Sequence, residues 1–278
     1  MSIKLKKINN EIVTPMKTPN DLDKRPPRGK ELISAPYANI YACAKKQTGK
    51  SSVVAKMALK FAGPETQVHI FCSTVFIDPT YIALVNELED KGIACYPSTS
   101  IKDDDGFDLV QDILKEDENF GEDIESDDRS DESAKINNGL LNLDEEKSKK
   151  KRKKKSKFKE LRRLIIFDDL ANEIRGSNSL KTLLKKNRHI LCKTIIASQH
   201  INDLDPQSVN QLDYVLLFKS HNDAKLIELH MKLDLSITPE QFVQMYKMVT
   251  HDKTKFDFLY ITRCEEYRKN FNNEIIMD

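Results

Sequence analysis

The chain has 278 residues, 39% of them hydrophobic, and a formal net charge of +1. That length is enough for one large domain with a real core. No apolar run approaches bilayer length, and Met1-Ser-Ile-Lys-Leu-Lys-Lys lacks a signal-peptide core. Both points lead us to expect a soluble intracellular protein with no membrane partner.

Residues 1–30 are rich in Lys, Arg and Pro and carry a net charge of +5. A flexible basic arm follows from that composition, a tail in preference to a nucleic-acid contact. The core begins at 31, and Ile40–Ala44 is its first strand. Then come Lys45, Lys46, Gln47, Thr48, Gly49, Lys50, Ser51 and Ser52, and a helical run with apolar Val53, Val54, Met57, Ala58 and Phe61. Strand, polar loop, Gly-Lys-Ser and helix are the setting of a phosphate-binding P-loop. Helix N-terminal amides have no internal partner, and the dipole adds positive potential there. Lys50 would reach the β- and γ-phosphates of ATP, and the Ser51 hydroxyl would ligate Mg2+. Ala44 stands where the pattern has its first Gly, and is tolerable if its φ is negative.

Val68–Thr74 is a second strand, Pro79–Lys91 a helix and Ile93–Tyr96 a third strand. Strands alternating with helices predict an α/β fold, a mostly parallel sheet covered on both faces. Residues 102–159 interrupt it. After a short helix at Phe107–Leu114 the stretch turns polar, with 18 acidic and 3 basic residues between Asp103 and Glu146. Lys147–Lys159 then holds 10 basic residues and no acidic one. Neither half can bury enough surface to offset chain entropy, so a mostly disordered insertion is expected. The basic run has two readings of equal weight: a phosphate contact for nucleic acid, or a linker paired with its acidic neighbour. It also looks like a nuclear-localisation signal.

The core resumes over 160–278. Arg163–Asp169 is an apolar strand ending in two carboxylates. Asp168 is the expected Mg2+ holder and Asp169 the group that polarises the attacking water. These carboxylates are expected to meet Gly49-Lys50-Ser51 across adjacent strands. Ala171–Lys186 is a helix with a weak centre at Arg175-Gly176-Ser177. Cys192–Gln199 is a buried strand whose Gln199 is placed to sense the γ-phosphate. Arg188 precedes it, either as an arginine finger acting on a neighbouring subunit or as a surface residue. Tyr214–Phe218 is a further strand, Asn222–Lys232 and Pro239–Val249 are helices, and Phe256–Ile261 closes the sheet. Arg263–Asp278 reads as mixed and partly frayed. Thr254-Lys255-Phe256-Asp257 fits a guanine-specificity motif, but no apolar strand precedes it and no D-x-x-G follows Asp168 or Asp169, so a GTPase is set aside. The five cysteines are scattered without C-x-x-C spacing. Four of them, Cys43, Cys72, Cys95 and Cys192, sit in apolar runs and predict buried thiols in a reducing compartment.

Ala44–Ser51, Ile165–Leu170 and Asn187-Arg188-His189 with Thr194–Gln199 together resemble the poxvirus-type genome-packaging ATPases of the FtsK–HerA superfamily. The resemblance covers roughly residues 31–101 and 160–262. It departs from the family at Ala44 and in the charged insertion. It implies a RecA-like core, ATP hydrolysis, a homo-oligomeric ring, and translocation of double-stranded DNA into a capsid, with capsid proteins as possible partners. The sites this implies are the host cytoplasm, a virus factory or the virion, with the nucleus suggested by the basic run. The rival reading is a non-catalytic nucleic-acid-binding or scaffolding protein with a degenerate P-loop.

Overall fold

The computed structural model describes residues 26–116, 161–251 and 256–276. The bulk of the expected basic arm, most of the charged insertion with its basic run, and Thr254 and Lys255 lie outside the described residues.

Six parallel strands form the body of the sheet: β1 (Ala38–Cys43), β2 (Gln67–Cys72), β3 (Cys95–Ser98), β4 (Arg163–Asp168), β5 (Cys192–Ser198) and β6 (Tyr214–Phe218). Three antiparallel strands follow on one side, β7 (Phe258–Thr262), β8 (Tyr267–Lys269) and β9 (Asn273–Glu274). The order across the sheet is β3-β2-β4-β5-β1-β6-β7-β8-β9.

The two faces separate by strict alternation, as the pleat requires. On β1, Ile40 and Ala42 face one core while Tyr41 and Cys43 face the other; on β4, Leu164 and Ile166 oppose Ile165 and Phe167. The helices α1 (Lys50–Phe61) and α2 (Pro79–Asp90) cover the first face through Val54, Met57, Phe61, Tyr81, Leu84 and Leu88. The second face is covered by α3 (Ala171–Ile174), α4 (Asn178–Lys186), α6 (Asp223–Leu233) and α7 (Pro239–Thr250); α5 (Pro206–Val209) is a single turn at its margin. Central strands buried on both faces read as continuous apolar runs, and β1, β4, β5 and β6 are buried along their whole length. The mostly parallel, doubly covered sheet is as expected.

Several local readings change. The helix foreseen over Ala171–Lys186 is two, because Gly176 takes φ 77° and the Ser177 side chain accepts the Leu180 N–H at 3.2 Å to start a new helix. The short helix expected at Phe107–Leu114 is present, shifted to 109–116, and the insertion's start at 102–116 is packed onto the core. Lys102 bridges Asp108, a helical segment occupies 109–116, and Val110, Ile113 and Leu114 enter the core. Glu116 at its end meets the fully buried Arg163 at the start of β4, 2.9 Å apart. The C-terminal stretch is not frayed over 267–274: Tyr267 packs into one core and Phe271 sets its edge on Phe258 and Tyr260 in the other. Cys43, Cys72 and Cys192 are buried, but Cys95 on the edge strand β3 is only half-buried.

Phe167 is 1% exposed and stacks on Phe71 with ring centroids 5.3 Å apart. Phe167→Ala is expected to cost about 3–5 kcal/mol of unfolding free energy through the cavity it leaves. Phe107→Ala, at a 65% exposed position, should stay within about 0.5 kcal/mol. Urea denaturation of the two variants measures the difference.

Candidate nucleotide site

In a parallel sheet every strand ends at the same edge, and the loops leaving it converge. The register places Cys43 opposite Ser198 and Asp168 opposite Ala197, so β1, β5 and β4 finish level. Lys50 and Asp168 therefore meet, but not across adjacent strands as expected: β5 lies between β1 and β4, and the Lys50 side chain spans it.

The loop after β1 is shaped by two residues of positive φ, Gln47 at 64° and Gly49 at 87°. Ala44 is not one of them. It is fully buried, and its N–H donates to the Ser198 carbonyl at 3.0 Å, continuing the β1–β5 ladder. The conformational freedom of Gly is needed at 49, where φ is positive. Position 44 asks only for a small side chain. Thr48 turns inward, its hydroxyl donating to the Lys45 carbonyl at 2.8 Å. Gly49 precedes α1 with no side-chain cap, and the first turn of α1 carries no acidic residue. The leading amides thus remain for an anion, with the helix dipole behind them.

A cleft of about 310 Å³ opens here, lined by Ala44, Lys45, Lys46, Gln47, Gly49, Lys50, Ser51 and Ser52 from the loop, by Asp168 and Asp169, and by Gln199. Cys72, Thr74, Asp78 and Thr80 from the β2–α2 connection complete it. Asp168 is 3% exposed. One carboxylate oxygen is paired with Lys50 Nζ. The other accepts from Tyr81 Oη at 2.6 Å. Burial, and then the charge of Asp168, push the Tyr81 phenol well above its ordinary pKa, so it stays a donor. Asp169 is exposed and takes φ 57°, its N–H donating to the Ala197 carbonyl at 3.3 Å. That left-handed turn carries its carboxylate out of the strand and onto the cleft wall.

Gln199 follows β5 directly. Its carbonyl accepts from Lys225 Nζ and, at 3.7 Å, from the Cys43 thiol. His221 Nε2 lies 3.2 Å from the Cys43 carbonyl, and the His221 N–H donates to Tyr246 Oη at 3.1 Å. Burial, aided by the positive charges of Lys225 and Lys45, holds His221 down at about 4 despite the Cys43 carbonyl. It is neutral at physiological pH and serves as a strut behind the loop.

Arg188 is not brought to this cleft. It sits in the turn before β5, at the edge where the parallel strands begin, 70% exposed and 3.8 Å from Asp213. Tyr81, Thr74, Asp78 and Thr80 were not identified from sequence as site residues. Tyr81 in particular reads as one more apolar position of a helix, and no spacing rule relates it to Asp168, 87 residues away. Among the described residues no three His, Cys, Asp or Glu side chains cluster as a metal cage. This suits Mg2+, which is commonly held by one carboxylate, substrate phosphates and waters; Ser51 and Asp168 offer that donor set.

A Gly-Lys-Ser loop after β1, an acidic pair closing β4 and a strand inserted between them give the chain the RecA-like P-loop NTPase fold. Residues 131–265 match the family model described as Poxvirus A32 protein. That match bears out the resemblance to a poxvirus-type family over the part of the chain that holds Asp168, Asp169, Arg188 and Gln199. The P-loop lies ahead of the matched stretch. Among solved structures, the chain is similar to the genome packaging NTPase B204 from Sulfolobus turreted icosahedral virus 2. The complex with AMP is 12% identical, covers 87% of this chain and 100% of that one, and has a TM-score of 0.51. The complex with AMPPCP is 12% identical over 88% of this chain and 100% of that one, with a TM-score of 0.50. At such identity the likeness is one of fold. No curated protein matches the chain.

Two outcomes follow from this geometry. Ala44→Gly should leave nucleotide affinity within about threefold, since no positive φ is relieved; equilibrium binding measures it. His221 is depressed from 6.5 to about 4, so its neutral form stabilises the fold. That contribution is complete above about pH 6.5 and is lost as pH falls towards 4. His221→Gln should flatten the fall in unfolding free energy between pH 6.5 and 4, read by denaturant titration at each pH.

Proposed function

We propose that this chain is a Mg2+-dependent ATPase that moves double-stranded DNA, packaging a viral genome into a capsid as part of a ring of identical subunits. The observation that carries the reading is the approach of Lys50 to Asp168 at the edge where Asp169 and Gln199 also stand. A lone Gly-Lys-Ser or a lone Asp-Asp would mean little. Their convergence on one cleft gives a triphosphate cationic, amide and carboxylate groups at the places its chemistry requires.

In this reading the amides from Lys45 to Ser51 cradle the phosphates. Lys50 would turn from Asp168 to the β- and γ-phosphate oxygens, and the freed Asp168 oxygen, with the Ser51 hydroxyl, would hold Mg2+. The metal would offset the charge on the phosphate oxygens. Tyr81 keeps Asp168 oriented throughout. Asp169 accepts a proton from the attacking water and aligns it with the γ-phosphorus. Gln199, at the end of a strand buried along its length, senses whether the γ-phosphate is present. Arg188 can act only on a neighbour's nucleotide, because it stands at the opposite edge of its own sheet. That role needs head-to-tail packing of protomers. The family match and the packaging NTPases of like fold support the DNA-translocating assignment. The degenerate-P-loop alternative is not favoured, because Ala44 occupies a position that needs no Gly.

Lys50→Ala should abolish nucleotide binding or turnover, and Asp169→Asn should keep binding while losing at least about 100-fold in turnover. ATP hydrolysis by the full chain, with and without double-stranded DNA, checks both. Full activity in both variants sinks the ATPase reading, and turnover indifferent to DNA sinks the translocase.

A further inference from the structure

The cleft has two poles. The carboxylates and Gln199 stand on one side of the P-loop, because β5 and β4 lie on that side of β1. A triphosphate in the loop therefore directs its γ-phosphate towards β4 and β5. Its sugar and base leave on the other side, towards β6 and β7.

Phe256 stands at that second pole. Strand β7 runs antiparallel, with Phe258 opposite Phe218, the last residue of β6. Phe256 and Asp257, just ahead of β7, thus lie at the same edge of the sheet as the P-loop. The Phe256 ring rests directly on Gly49: a Cβ added there would lie 2.3 Å from Phe256 Cδ1 and 2.7 Å from its Cε1. Yet the residue is 52% exposed. A large aromatic ring with an open flank beside a phosphate loop is an apolar surface awaiting an apolar partner.

The ring is held in place by its neighbours. Asp257 is 4% exposed and accepts from Asn270 Nδ2 at 3.0 Å, while the Phe258 N–H donates to Asn270 Oδ1 at 3.0 Å. The same contacts remove Asp257 as a reader of guanine, since its carboxylate is buried and bonded within the β7–β8 hairpin.

We propose that Phe256 is the platform on which the base of the bound nucleoside triphosphate stacks, making the site one for a purine nucleotide in place of triphosphate alone. This rests on the phosphate-site reading above. Every base has a π-face, but purines stack over the larger area. Gly49 is then needed twice, for its backbone angle and because any side chain would strike the ring.

The test separates base from phosphate. Full-length wild type, Phe256→Ala and Phe256→Trp are titrated with ATP and with inorganic tripolyphosphate in the presence of Mg2+. Loss of a stacked base should weaken ATP binding by about tenfold or more in Phe256→Ala, with tripolyphosphate affinity unchanged. The chain has no tryptophan, so Phe256→Trp adds a single indole at this position. Its emission should be quenched by ATP and not by tripolyphosphate, with ATP affinity kept. Unchanged ATP affinity in Phe256→Ala, or an equal loss for both ligands, overturns the proposal. If neither ligand binds the wild type, the phosphate-site reading falls and the platform with it.

Discussion

The buried carboxylate of Asp168 is the constraint around which the site is built. A charge withdrawn from water must be met by partners or be strongly destabilising. Here both oxygens are met, one by Lys50 from the head of α1 and the other by Tyr81 from the first turn of α2. One side chain at the end of β4 thereby ties down both helices that cover this face of the sheet. The same demand draws the P-loop lysine across β5 and defines the cleft between them. Packing and chemistry meet in this contact: the atoms that satisfy the buried charge are those a phosphate–metal complex would rearrange.

The opposite edge of the sheet has a different character. There Asn39 donates from its amide to the Leu184 and Gln211 carbonyls, each at 2.8 Å, and its N–H donates to Asp213. Arg163 meets Glu116. Lys193 is almost wholly buried, its ammonium 4.2 Å from the Phe61 ring centre, and burial lowers its pKa to about 8. These groups bind helices and loops to the starts of the strands. They secure the fold, whereas the strand ends carry polar groups facing a cleft. Arg188 falls on the structural edge, beside Asp213, so any part it takes in hydrolysis belongs to contacts between protomers.

The C-terminal segment has more to do with the cleft than its composition suggests. The hairpin of β7 and β8 extends the sheet beyond β6, and Asn270, just after β8, braces both Asp257 and Phe258. The chain reaches the P-loop from the side opposite the carboxylates, and Phe256 arrives against Gly49 as a result. The cleft is therefore lined by the β1–α1 loop, the β2–α2 connection and the ends of β4 and β5, with the lead into β7 resting against the loop at Gly49.

Much of this was legible in the sequence by itself. Short apolar runs such as Leu164–Phe167 and Ile195–Ala197, rich in β-branched residues, read as strands buried on both faces, because a half-exposed strand would show polar alternation. Gly49-Lys50-Ser51 before an amphipathic helix, and carboxylates closing a buried strand, follow from local spacing alone. What no local rule contains is which strands neighbour one another. The insertion of β5 between β1 and β4, the pairing of Tyr81 with Asp168, the displacement of Arg188 to the far edge and the contact of Phe256 with Gly49 were decided by the tertiary structure. Each joins residues far apart in the chain, brought together by the order in which strands pack to bury both faces of the sheet. Periodicity reports which face of an element is apolar; it carries no record of the partner that will cover it.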